Sequence, residues 1–122
     1  MIDHVSVAVV DLAAAAGFYE AALAALGMTK LEQRPATVGF GKQYPEFWIN
    51  RRDAVQTSDG AHVCFRARST EIVDAFHAAA LAAGGLDDGA PGLRPHHGEG
   101  YYAAFIRDPD GNRIEAVTFV KA

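Results

Sequence analysis

The chain is poor in several things, and each shortage removes a class of function. Its 122 residues hold a single cysteine, Cys64, so no intrachain disulfide can form and a reducing compartment, the cytoplasm, is expected. Basic residues are few and scattered: 11 Lys and Arg stand against 15 Asp and Glu, a net charge of −4. A phosphate-binding face needs clustered cations, and Arg51–Arg52 is the only basic doublet, so nucleic acid is not the expected partner. The apolar runs are too short to span a bilayer and are interrupted by Glu20 and His77, and no charged leader with an apolar run opens the chain. What remains is a globular composition, half hydrophobic, in a length that suits one domain with a sizeable core.

Against these shortages stands an internal repeat. Residues 18–27 read FYEAALAALG and residues 76–85 read FHAAALAAGG, identical at seven of ten positions at an offset of 58. The same offset pairs Asp11 with Ser69, both suited to cap a helix, and His4 with His62, each followed by Val. Two related modules are expected, one over about 1–55 and one over about 60–122. Two-fold related modules bring equivalent residues together near a shared axis.

Each module reads as a β-α-β-β-β unit in an α+β fold. In Ile2–Val10 the valines at 5, 7 and 9 alternate with His4, Ser6 and Ala8. The valine face should cover helices, and the small polar face suits a cavity wall. Asp11 begins a helix over Leu12–Leu26, which Gly27 ends in a left-handed conformation. Three short strands follow, around Thr29–Arg34, Thr37–Gly41 and Glu46–Arg51. The second module opens with His62–Ala67, with His62, Cys64 and Arg66 on one face, followed by a helix capped by Ser69 and stopped at Gly84–Gly85. Leu86–Gly100, rich in Gly and Pro, reads as a long functional loop. Tyr101–Arg107 and Arg113–Val120 flank the turn Asp108-Pro109-Asp110-Gly111 and form a hairpin.

The residues able to carry chemistry sit on these strands. His4 and His62 are related by the repeat, and Glu115 is a lone carboxylate in an apolar strand, where burial without a partner is costly. Two histidines and a carboxylate make a facial triad with open coordination positions. Taken singly, each histidine is equally a hydrogen-bonded wall residue. The first-module counterpart of Glu115 falls near Ile49, or at Asn50 if the register slips by one. Arg94 and His97 sit in the long loop as groups that could meet a bound anion. Tyr44, Phe47, Trp48, Tyr101 and Tyr102 are aromatic candidates for lining a pocket, with core or interface packing as the alternative. For Cys64 the default is a core thiol.

Ile2-Asp3-His4-Val5 with Asp11-Leu12, Phe18-Tyr19, Leu26-Gly27, His62-Val63, and above all Asp108-Pro109-Asp110-Gly111-Asn112-Arg113-Ile114-Glu115 resemble the vicinal oxygen chelate superfamily. Its members include glyoxalase I, fosfomycin-resistance transferases, bleomycin-resistance proteins and extradiol dioxygenases. The likeness covers nearly the whole chain and extends to a glyoxalase-like subgroup in the Tyr-Pro-Glu-Phe-Trp-Ile and Gly-Leu-Arg-Pro-His-His segments. It implies paired βαβββ modules curling into an open, cup-shaped sheet, with a divalent ion (Zn, Ni, Mn or Fe) held by His4, His62 and Glu115, the last also a catalytic group. It further implies a small oxygen-chelating substrate, with Trp48, Arg94, His97 and Tyr102 around it, and a homodimer. The fourth strand carries no acid at the position matching Glu115, which separates the chain from the lactoylglutathione lyase pattern. A metal-dependent lyase, isomerase, transferase or dioxygenase is therefore the first expectation. A metal-free sequestering protein of the bleomycin-resistance type is the second. A purely structural module is the third, and it leaves the polar strand face without a purpose.

Overall fold

The computed structural model describes residues 1–121. Ten elements follow one another: β1 (Val5–Val9), α1 (Leu12–Ala24), β2 (Thr29–Gln33), β3 (Thr37–Gly41), β4 (Phe47–Arg51), β5 (Val63–Arg66), α2 (Thr70–Ala82), β6 (Leu86–Leu93), β7 (Tyr101–Arg107) and β8 (Arg113–Phe119). Each module builds its own four-stranded sheet, in the orders β1-β4-β3-β2 and β5-β8-β7-β6. In both, the first strand pairs parallel with the last and the remaining pairs are antiparallel. This is the expected α+β pair of βαβββ modules. No helix among the described residues is long and apolar enough to cross a membrane.

Local chemistry sets the helix limits. The Asp11 carboxylate accepts from the Ala14 N–H at 3.0 Å, and the Ser69 hydroxyl accepts from the Ile72 N–H at 3.2 Å. Glu71 lies in the first turn of α2, favoured by the dipole. Gly27, at φ 79, turns the chain out of α1 as expected.

One segment departs from expectation. Leu86–Gly100 is not a continuous loop, because its first eight residues form β6. Asp, Gly and Pro are poor strand formers, so the sequence hides this strand. Its place at the sheet edge makes it tolerable. It pairs only with β7, with register shifts at Asp87/Gly89 and Gly89/Gly92 that absorb the irregular residues, and Pro91 occupies the edge position open to proline.

The register corrects a second expectation. Ser6 and Cys64 are equivalent at the offset of 58; Ser6 pairs with Trp48, and Cys64 pairs with Glu115. The counterpart of Glu115 is therefore Trp48 and not Ile49. A slip of one residue moves a side chain to the other face. Ile49 accordingly is fully buried among core residues, while Trp48 is on the open face.

The core is continuous across both modules. Val9, Leu23, Phe40, Phe47, Val73, Phe76 and Ile106 are all fully buried in one cluster. The Phe47 ring meets Tyr19 at 4.9 Å and Phe65 at 5.3 Å, joining α1, β4 and β5.

A polar node sits inside this apolar layer. Asp108, 1% exposed, accepts the Tyr19 hydroxyl at 2.5 Å, the backbone N–H groups of Asp110 and Asn112 at 2.9 and 2.8 Å, and the Asn112 amide at 2.9 Å. The Asn112 amide also donates to the Ala8 carbonyl at 2.8 Å, and Asp110 accepts from the Val10 N–H at 3.1 Å. The β7–β8 turn of the second module is thereby tied to β1 and α1 of the first. Burial, reinforced by the Asp108 charge, holds the Tyr19 hydroxyl well above its ordinary pKa, so it stays a donor.

Removing this acceptor strands several buried donors at once. Asp108→Ala is expected to lower stability by about 3 kcal/mol or more, and Tyr19→Phe by about 1–3 kcal/mol. Urea denaturation measures both; a midpoint within about 0.2 M of the parent for Asp108→Ala contradicts the node's role.

Candidate functional site

The helices cover one face of each sheet and leave the other open. On the open face of the second sheet, β5 places Cys64 beside Glu115 of β8, and β7 places Phe105 on its other side. Glu115 is only 2% exposed and both of its oxygens are engaged. One lies 3.1 Å from His62 Nε2; the other accepts the Tyr101 hydroxyl. The lone carboxylate of the β8 sequence therefore has its partners.

A cleft of about 450 Å³ opens above this floor, lined by His62, Asp88, Arg94, His97, Tyr101, Phe105, Arg113 and Glu115 among others. Every lining residue comes from the second module. The His97 ring lies 5.2 Å from Tyr101, and the Arg94 guanidinium 5.5 Å from the Phe105 centroid. Arg113 reaches Asp88 at 3.2 Å and the Asp59 carbonyl at 2.6 Å. Arg107 meets the same Asp88 at 3.6 Å.

The structure thus brings His62, Glu115, Arg94 and His97 to one cleft and places the other three elsewhere. Tyr102 faces the opposite side, where its hydroxyl donates to Asp74 of α2 at 2.7 Å. Trp48 lies on the open face of the first sheet, over Gly39 and under the Arg34 guanidinium at 4.9 Å. A Cβ on Gly39 would come within 2.9 Å of the indole, so this close approach requires glycine. His4 is largely exposed, with Nδ1 2.8 Å from Asp3 Oδ1. It lines a different pocket, with Cys64 and Arg66 but neither His62 nor Glu115. Among the described residues, no three His, Cys, Asp or Glu side chains gather into a metal-holding group.

Phe105, Arg113 and Asp88 are members of the cleft to which the sequence assigns no role. Cys64, expected as a core thiol, is instead exposed, beside Glu115 on the open sheet face. Between Tyr101 and Tyr102 the sequence carries a deciding signal. The Asp108–Gly111 turn pairs Arg107 with Arg113 and Phe105 with Glu115, so period-2 alternation puts residue 101, not 102, on the Glu115 face.

The donor set fits a divalent ion in part. Two ligands at about 2.0–2.2 Å from one ion in adjacent octahedral positions lie about 3 Å apart. The observed 3.1 Å between His62 Nε2 and Glu115 Oε1 matches that spacing. One chain therefore supplies two of the three expected donors in compatible positions.

The same carboxylate perturbs its neighbours. Partial burial, and then the Glu115 charge, push the Cys64 thiol up to about 12. Tyr101 is raised beyond its ordinary value by desolvation and by its hydrogen bond to Glu115, so it remains a proton donor over the physiological range. In chelator-treated protein, Cys64 should be alkylated roughly 30-fold more slowly than a free thiol near pH 8, the loss of thiolate being partly offset by higher nucleophilicity. Glu115→Gln should raise the rate. An unretarded rate in the parent protein would contradict this electrostatic picture.

Comparison with known proteins gives the geometry a family context. The model of the Glyoxalase/Bleomycin resistance protein/Dioxygenase superfamily matches residues 1–116. A glyoxalase/bleomycin resistance protein from Albidiferax ferrireducens T118 is 34% identical, with a TM-score of 0.83 over 94% of this chain and 95% of that one. A glyoxalase/bleomycin resistance protein/dioxygenase family enzyme from Burkholderia phytofirmans PsJN is 22% identical, with a TM-score of 0.76 over 98% of both chains. The fosfomycin resistance protein FosX from Listeria monocytogenes is 18% identical, with a TM-score of 0.75 over 98% of this chain and 93% of that one. Among curated proteins, none matches the sequence. With the family model spanning almost the full length and the paired modules in agreement, the chain belongs to the glyoxalase/bleomycin resistance protein/dioxygenase superfamily.

Proposed function

We propose that the protein is a divalent-metal-dependent enzyme acting on a small oxygen-chelating metabolite, and that it works as a homodimer. The observation that carries this reading is the His62–Glu115 pair, two donors 3.1 Å apart at the floor of a cleft wide enough for a small substrate. His62 and Glu115 would hold the ion, which when bound supplies Lewis-acid polarisation of a substrate oxygen. Zinc, nickel, manganese and iron all accept such donors.

The chain's own groups have defined tasks around that point. Tyr101 holds the second Glu115 oxygen and so fixes the carboxylate's orientation. Phe105 and the β7–β8 hairpin wall the floor on one side, and Arg94 and His97 edge the cleft where substrate enters.

His4 is the natural third donor, and a second copy of the chain is its natural source. The cleft draws no residue from the first module, and His4 is exposed away from it. By the internal two-fold relation, the first-module face bearing His4, Ser6 and Trp48 is the counterpart of the face bearing His62, Cys64 and Glu115. Pairing the first module of one copy with the second module of another closes the cup with two-fold symmetry. Exposed Ile2, Phe119 and Val120 are apolar surface that such a contact would cover.

A metal-free binding protein is the second reading. It is favoured by one observation: both Glu115 oxygens already have protein partners within one chain.

Metal content separates the two. Protein purified without chelator and incubated with Zn, Ni, Mn or Fe(II) should retain close to one ion per chain, and less than about a tenth of an equivalent contradicts the enzyme reading. His62→Ala should abolish retention while unfolding stays cooperative, because a half-exposed residue contributes little to the core. Sedimentation should show a dimer at micromolar concentration; a monomer only would contradict the shared site.

A further inference from the structure

We infer that Arg94 is a preformed receptor for a single carboxylate, so that the ligand of the cleft is a small monocarboxylate. This deepens the proposed function and rests on its placement of the ligand in the same cleft.

Charge accounting around the cleft leaves one cation over. Asp88 is shared by Arg113 and Arg107, and Glu115 is engaged by His62 and Tyr101. Arg94 has no carboxylate within 4.0 Å among the described residues. It is nonetheless fixed in place. Its Nη1 donates to the Gly92 carbonyl at 2.9 Å and its Nη2 to the Ala90 carbonyl at 2.6 Å, while the plane rests near the Phe105 ring. A Cβ on Gly89 or Gly92 would stand 3.2 Å from a guanidinium nitrogen, so the glycines of the bulged β6 make the groove in which the group lies. Guanidinium carries five N–H donors, and two are used on these carbonyls.

The other three have no protein acceptor, and because no buried polar side-chain atom among the described residues goes unpartnered, the unbonded Nε is reached by solvent. A charged group held rigid by its own strand loses little freedom on binding. A planar fork with free N–H groups matches the two coplanar oxygens of a carboxylate. A carboxylate uses such a fork with both of its oxygens, whereas a phosphate leaves further oxygens without donors from it. The Phe105 ring beside the guanidinium provides apolar surface for the body of such a ligand.

The test is an NMR titration of ¹⁵N-labelled, metal-free protein with benzoate, benzamide and inorganic phosphate, repeated on Arg94→Met and Arg94→Lys. Benzoate should shift Arg94 Nε–H and the Phe105 amide saturably, and bind at least about tenfold more tightly than neutral benzamide. Arg94→Met should lose about that factor for benzoate and nothing for benzamide, with Arg94→Lys recovering part of it. Equal affinity for benzoate and benzamide in the parent protein overturns the proposal even if Arg94→Met fails to fold; so does unchanged benzoate affinity in a folded Arg94→Met. A preference for phosphate overturns the monocarboxylate assignment. Metal retention, measured separately, distinguishes the two readings: benzoate binding at Arg94 without metal uptake removes the metal-dependent reading alone, and metal uptake without benzoate binding removes this one alone.

Discussion

The buried carboxylate of Asp108 is the constraint on which the arrangement depends. A charge at 1% exposure survives only where donors surround it, and here they come from both modules: Tyr19 from the first helix, Asn112 and Asp110 from the last turn. Asn112 passes the connection on to the Ala8 carbonyl at the end of β1. The node therefore sets where the two modules sit against each other on the helix side. With the helix side closed by Phe18, Tyr19, Phe47 and Phe76, the other sheet faces are left to function.

Those two faces have diverged from a common plan. On the second sheet the position beside Cys64 is Glu115, embedded in polar partners and open to a cleft. On the first sheet the equivalent position beside Ser6 is Trp48, with Gly39 beneath it and Arg34 above. An indole stacked between glycine and guanidinium cannot ligate an ion. One module thus retains a polar floor, while the other offers a flat wall. The charge pattern follows the same division: Asp88 is shared by Arg107 and Arg113, Glu115 is engaged by His62 and Tyr101, and Arg94 has no carboxylate partner among the described residues.

Much of this was legible from residue order. The repeat located both helices, their caps at Asp11 and Ser69, and the paired strands, because helix caps and alternation are local signals. The alternation of His62, Cys64 and Arg66 identified the open face of β5, and the turn at Asp108–Gly111 identified the hairpin. The losses have physical causes. β6 was hidden because a bulged edge strand tolerates Gly, Pro and Asp that argue against a strand elsewhere. The match of Glu115 to Ile49 missed by one residue, because the modules differ in length after their helices and the repeat stops guiding the register there. Tyr101 and Tyr102 look alike as adjacent aromatics, and only the hairpin register separates them onto opposite faces. The separation of His4 from His62 depends on how whole modules face each other, and no local pattern encodes that.

In the proposed assembly, the second-module face of one chain forms the floor of a site completed by His4 of another. Subunit complementation tests it directly. His4→Ala and Glu115→Ala chains, each unable to retain metal alone, are mixed, dissociated and reassociated, and metal content is measured. A shared site predicts recovery, since in each mixed dimer one site combines an intact His62–Glu115 pair with an intact His4, giving about a quarter of the parental content at random pairing. A mixture as empty as its two components would contradict this arrangement, placing all three ligands within one chain.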